Sequence, residues 1–166
     1  MANRKNDIKA RLLATFRVEA EEHLQAITAN LLALDRGLPP AEARDVVEAT
    51  FREMHTLKGA ARSVSLMDVE ALCQACESVL SRITRGQLPL ARPVLSLLQE
   101  ATDGVARLLA GSGDPSTVSE LVRRLERAAA APAAEAEEPA EAPRRPSEAP
   151  AGPVALALPP ADTIRL

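Results

Sequence analysis

The residues with the clearest chemical potential lie in the stretch Met54-His55-Thr56-Leu57-Lys58-Gly59-Ala60-Ala61. Around them Val47, Thr50, Met54, Leu57, Ala61 and Val64 recur at intervals of three and four, the spacing of one buried helix face. At about 100° per residue His55 falls about 120° from the middle of that face, beside Glu48, Arg52, Gly59 and Arg62. Its ring should therefore look outward. An imidazole with the ordinary pKa of about 6.5 is largely neutral near pH 7 and keeps one nitrogen lone pair for attack. Facing solvent, it can be reached by two partners in succession. Lys58 is one turn away and could offer its ammonium to an anionic group on the ring. A glycine inside a helix costs about 1 kcal/mol relative to alanine, and Gly59 leaves the surface beside the ring bare.

Cys73-x-x-Cys76 has the spacing of some redox and metal motifs. The two cysteines fall mid-helix among Val69, Leu72, Val79, Leu80 and Ile83, with no second cysteine pair and no histidine nearby to complete a metal shell. A redox pair normally sits at a helix N-terminus, which lowers the thiol pKa. Cys73 and Cys76 therefore read as small core residues, and no metal site is expected. His23 lies about 60° from the apolar centre of its helix and reads as a packed edge histidine.

The elements that must position these groups are all helical. The first helix is predicted from about Asp7 to Leu34, carried by Ile8, Leu12, Phe16, Ala20, Leu24, Ile27, Leu31 and Leu34, and stopped by Gly37 and Pro39-Pro40. The second, about Ala41 to Arg62, presents His55. Ser65 and Asp68 read as a capping box that opens a third helix running to about Arg85. A fourth spans about Ala91 to Ala110. Gly111-Ser112-Gly113 ends it, and Asp114 with Pro115 reads as the N-cap and first position of a fifth helix to about Ala130. Connections this short make neighbouring helices antiparallel, so the expected fold is all-α, an up-down four-helix bundle with a fifth C-terminal helix.

Composition agrees with that class. The 166 residues can bury a core, yet they include 2 Phe and no Trp or Tyr, so leucine, valine and alanine must fill the interior. Strands would bring period-2 runs, which are absent. A formal charge of -3 with both signs interspersed argues against a nucleic-acid surface and gives no basic amphipathic patch for a membrane. No apolar run reaches transmembrane length and no signal-peptide core is visible, so a cytoplasmic location is expected. Eight of the 13 prolines fall between Pro132 and Pro160, in an Ala/Glu/Pro segment without aromatic residues. Residues 131–161 therefore read as a disordered linker.

His55-Thr56-Leu57-Lys58-Gly59, with Phe16-x-x-Glu19-x-x-Glu22-x-Leu24 before it and Glu77 after it, resembles the histidine phosphotransfer domain that begins chemotaxis-type histidine kinases. The resemblance covers about residues 7–130. Asp162-Thr163-Ile164-Arg165-Leu166 resembles the segment that opens the dimerisation helices of those kinases. It implies domains at 1–130 (phosphotransfer bundle), 131–161 (linker) and 162–166 (the start of a dimerisation segment). It also implies a monomeric fragment of a longer kinase. Two departures stand out: Ser65-Leu66 replaces the usual Gly-Phe after the histidine helix, and Gln74 stands where some members carry a second histidine.

The resemblance implies that His55 accepts a phosphoryl group and that Glu77, 22 residues downstream, orients its ring. On its own helix Glu77 falls about 100° from the centre of the apolar stripe, at the edge, where it could meet His55 across the groove. Lys58 would stabilise the phosphoryl group, and Arg52, Gly59 and Arg62 would form the docking surface. No Gly-rich phosphate loop or magnesium-binding acidic cluster appears, so ATP and magnesium would be held by a separate kinase domain. The second partner would be an aspartate on a response-regulator receiver domain. Two rival readings are a non-catalytic helical adaptor that retains the fold and a Cys-based redox sensor.

Overall fold

Apolar stripes broken by Gly and Pro at short intervals fold as helices packed on helices. In a computed structural model, which describes residues 2–132, the elements are α1 (Ala2–Arg36), α2 (Pro40–Ser63), α3 (Met67–Thr84), α4 (Arg92–Leu109) and α5 (Pro115–Ala130). No strand occurs among the described residues. The expected linker, apart from its first two residues, and the expected dimerisation segment lie outside the described residues. α1 and α3 each pack against both α2 and α4, which closes the four-helix ring, and α5 lies along α3 and α4. α1 is longer at both ends than its periodicity predicts, because periodicity marks only the packed part of a helix.

Three antiparallel pairs share one simple register. His23–Glu53 is centred on Leu38, His55–Glu77 on Leu66 and Glu100–Arg124 on Ser112, each within a short connection. The connection length thus fixes which side chains meet across each groove. Ile27, Leu31, Met54, Leu57, Leu72, Leu80 and Leu98 are removed from solvent in the common core. Each such side chain contributes about 1.5–3 kcal/mol by leaving water. Gly104 lets α5 approach α4, because a Cβ there would stand 3.1 Å from Leu121 Cδ1 and 3.4 Å from Leu72 Cδ1.

The helix starts and stops follow the expected chemistry with one exception. Asp114 caps α5, its carboxylate accepting from the Thr117 N–H at 3.0 Å, and Pro115 takes the first helical position. The capping box at Ser65 and Asp68 does not form: α3 starts at Met67, and Leu66, its N-cap, makes no side-chain cap bond. Ser65 instead terminates α2 with φ +62°. The Ser65 N–H donates to Arg62 O at 3.1 Å and the Leu66 N–H to Ala61 O at 3.0 Å, the paired bonds of a Schellman C-cap. Gly86 and Gly111 hold the same left-handed position after α3 and α4. A serine therefore does the work of a glycine, and the cap belongs to the helix before it.

Candidate functional site

The α2–α3 hairpin builds the site. Its three-residue connection sets His55 opposite Glu77, Lys58 opposite Gln74 and Arg62 opposite Glu70, three pairs all centred on Leu66. His55 projects from the solvent face of α2 with 66 % of its side chain exposed. Met54 and Leu57, its neighbours on the buried face, are fully covered and hold the helix at that rotation. The Phe51 ring, one turn before, stacks on the imidazole with centroids 6.2 Å apart and planes inclined by 20°.

The predicted trio comes together. His55 Nδ1 lies 2.6 Å from Glu77 Oε1, and Lys58 Nζ forms an ion pair with Glu77 Oε2. Glu77 is more deeply placed than its expected position at the stripe edge, with only 6 % of its side chain exposed. It lies in the groove between α2 and α3, where His55 and Lys58 of α2 both reach its carboxylate. Lys58 is the counterion of this buried carboxylate, and the contact at Oε2 is one of charge rather than a directed hydrogen bond. A carboxylate so paired only accepts. The His55 Nδ1 therefore carries the proton, and in the neutral ring Nε2 keeps the outward lone pair.

Lys58 faces the carboxylate more than solvent. It is 21 % exposed, and its ammonium also donates to Gln74 Oε1 at 3.1 Å. One of its three protons is thus hydrogen-bonded within the site, while its charge faces Glu77 Oε2. The docking residues behave differently from one another. Gly59 is exposed, and a Cβ there would meet nothing within 4 Å, so the glycine leaves open surface one turn from the ring. Arg62 is anchored to Glu70 Oε1 at 3.1 Å, whereas Arg52 reaches Glu48 only at 4.0 Å.

Beside the ring is a shallow concavity of about 450 Å³, lined by His55, Lys58, Gln74, Glu77, Ser78 and Arg82 among others. Arg82 closes its far end: Nη1 donates to Ala129 O at 2.6 Å and also to Ala131 O, capping the C-terminus of α5. Phe51, Gln74 and Arg82 carry no role in the sequence reading. Phe51 was detectable by its i, i+4 spacing to His55, and Gln74 by lying one turn before Glu77 on the same face. Arg82 depends on where α5 ends, which no local signal gives.

The remaining chemistry-bearing side chains are placed elsewhere. Cys73 and Cys76 are buried free thiols. Burial, with Glu77 adding to it against the opposing effect of Lys58, pushes Cys73 up to about 12, and burial raises Cys76 well above its ordinary value. Neither is a thiolate near neutral pH, in keeping with a core role. His23 packs on the other side of α2, with Nδ1 2.6 Å from Glu53 Oε2 and 26 % of its side chain exposed. No described helix is long and apolar enough to cross a membrane.

Comparison with known proteins gives one consistent result. The family described as Hpt domain matches residues 11–108. Chemotaxis protein CheA of Bacillus subtilis is 33 % identical over 135 residues, 78 % of this chain and 20 % of the relative. The same protein of Treponema pallidum is 33 % identical over 118 residues, 69 % of this chain and 14 % of the relative. The chain thus spans a fifth or less of the length of these relatives. Among solved structures, the phosphorylated P1 domain of CheA3 in complex with CheY6 from R. sphaeroides matches with a TM-score of 0.57 and 23 % identity. It covers 71 % of this chain and 98 % of that one, and at this identity the likeness concerns the fold.

Proposed function

This chain belongs to the Hpt domain family, and from that premise we propose that His55 accepts a phosphoryl group from ATP on a kinase domain and passes it to a receiver aspartate. The observation that carries the reading is a solvent-facing imidazole whose Nδ1 is held at 2.6 Å by a buried carboxylate. In the first step the Nε2 lone pair attacks phosphorus, the N–P bond forms, and the P–O bond to the departing ADP breaks. Positive charge grows on the ring, and Glu77 stabilises it through the Nδ1–H. In the second step a receiver carboxylate oxygen attacks the same phosphorus and the imidazole leaves as a neutral ring. The Lys58 ammonium keeps Glu77 compensated and still has protons to offer a phosphoryl oxygen.

The kinase domain, its ATP and magnesium, and the receiver are partners that this reading requires outside residues 1–130. Gly59 gives them close approach to the ring, and Arg52 and Arg62 flank it. Incubation with a chemotaxis-type kinase core and radiolabelled ATP tests the proposal. Acid-labile, base-stable label is expected on the wild-type domain and absent from His55→Gln, whose helical content and melting stay nearly unchanged because the residue is exposed. Label retained by His55→Gln would reject His55 as the acceptor. A folded wild-type domain that takes no label would favour the adaptor.

A further inference from the structure

We propose that Gln74 is a second phosphoryl-binding residue, its side-chain amide N–H donating to the phosphoryl oxygens on His55. This deepens the phosphotransfer reading and rests on it. The polarity of an amide decides which end of Gln74 faces Lys58. Gln74 Oε1 accepts from Lys58 Nζ at 3.1 Å. An ammonium has donors only, so the oxygen of Gln74, and not its NH2, must face Lys58. The opposite amide orientation would set donors against a cation. The two N–H groups of Gln74 are therefore turned away from Lys58, and no hydrogen bond to them occurs among the described residues.

Their destination follows from the hairpin register. Gln74 lies one turn before Glu77 on α3 and lines the same concavity as His55, with its side chain exposed. Lys58 is shared between the two α3 residues, so His55, Glu77, Lys58 and Gln74 form one connected set. A tetrahedral phosphoryl group on the outward Nε2 presents three oxygens. The unbonded protons of Lys58 and the N–H groups of Gln74 are the donors on that side of the ring. A neutral donor suits a relay, since it stabilises the phosphoryl oxygens without the attraction of a second full charge, which would also hold the group back from the receiver.

Gln74 has two separable duties, holding Lys58 through Oε1 and donating through Nε2. Gln74→Glu keeps an oxygen for Lys58 and removes the donor, and Gln74→Met removes both. Side-chain exposure predicts that both variants fold, which circular dichroism and melting check directly. With a chemotaxis-type kinase core and ATP, both should label His55 about 3- to 10-fold more slowly than wild type, the range of one neutral hydrogen bond. Gln74→Glu should be the slower, because it sets an anion against the phosphoryl oxygens. The 31P resonance of the phosphorylated domain should also move in both variants.

A rate for Gln74→Glu equal to wild type would overturn the inference, since it would mean that only the bond to Lys58 matters. Equal rates for all three proteins would overturn it as well, as would a 31P resonance that does not respond. These results leave His55 as the acceptor. Failure of the wild-type domain to take any label would instead reject the phosphotransfer reading, and this inference with it.

Discussion

Glu77→Gln changes one oxygen for an NH2 group in a side chain of unchanged size, and it should slow the phosphorylation of His55 by disturbing both contacts of the carboxylate. The wild-type carboxylate uses both oxygens, Oε1 for His55 and Oε2 for Lys58. An amide has one oxygen to give. The cation makes the stronger demand, so the oxygen turns to Lys58 and the NH2 turns to His55 Nδ1. That nitrogen must then accept, which moves the ring proton to Nε2 and blocks the attacking lone pair. Restoring the reactive tautomer, and attacking without an anion behind the ring, both cost free energy. A hydrogen bond to a charged group contributes about 1.5–3 kcal/mol against about 0.5–1.5 for a neutral one, so losing the charge alone costs about 1–1.5 kcal/mol. With the tautomer shift the expected loss is about 10- to 100-fold in the rate of His55 phosphorylation. Ring 15N shifts report the tautomer, and labelling from ATP by a kinase core reports the rate. Nδ1 still protonated, together with a rate within twofold of wild type, would refute the orienting role of Glu77.

Two further outcomes concern the scaffold. Ser65→Gly should stabilise the bundle by about 0.5–1 kcal/mol, because a left-handed residue with a Cβ costs about 1–2 kcal/mol and glycine returns part of that as unfolded-chain entropy. A melting temperature higher by about 2–4 °C, with unchanged phosphorylation, is the expected reading, and a lower one would show that the Ser65 hydroxyl contributes something the cap geometry does not. Asp114, whose carboxylate is held below its ordinary 3.8 chiefly by the Ser116 hydroxyl and then by the Thr117 N–H, adds stability that is complete above that value and lost as pH falls through the lowered one. Asp114→Asn keeps an acceptor but does not titrate, so its melting temperature should fall less between pH 7 and pH 3 than that of wild type.

The fold was legible because the punctuation is strong: Gly37 with Pro39-Pro40, Gly86 with Pro89, and Gly111 through Pro115 leave apolar stripes of helical period between them. His55 was legible from its helix face, but its pairing with Glu77 rested on the resemblance, and the reason lies at Ser65. Ser65-x-x-Asp68 satisfies the local pattern of an N-cap, but the same serine was needed to end α2, and the long-range register of the hairpin decided which use won. With Ser65 as N-cap, α3 would start at Leu66 instead of Met67, which shifts the centre of the hairpin and with it the cross-helix pairings. With the centre at Leu66, His55 meets Glu77 and Lys58 meets Gln74 by counting alone. The depth of Glu77 escaped for a different reason, since a helical wheel gives a residue's direction and not the α2 side chains that cover it. Set in the groove against α2, Glu77 takes Lys58 as its counterion, and the counterion in turn fixes the amide of Gln74. The register of the α2–α3 hairpin thus acts on the histidine through Glu77 and Lys58, and on the concavity beside it through Gln74.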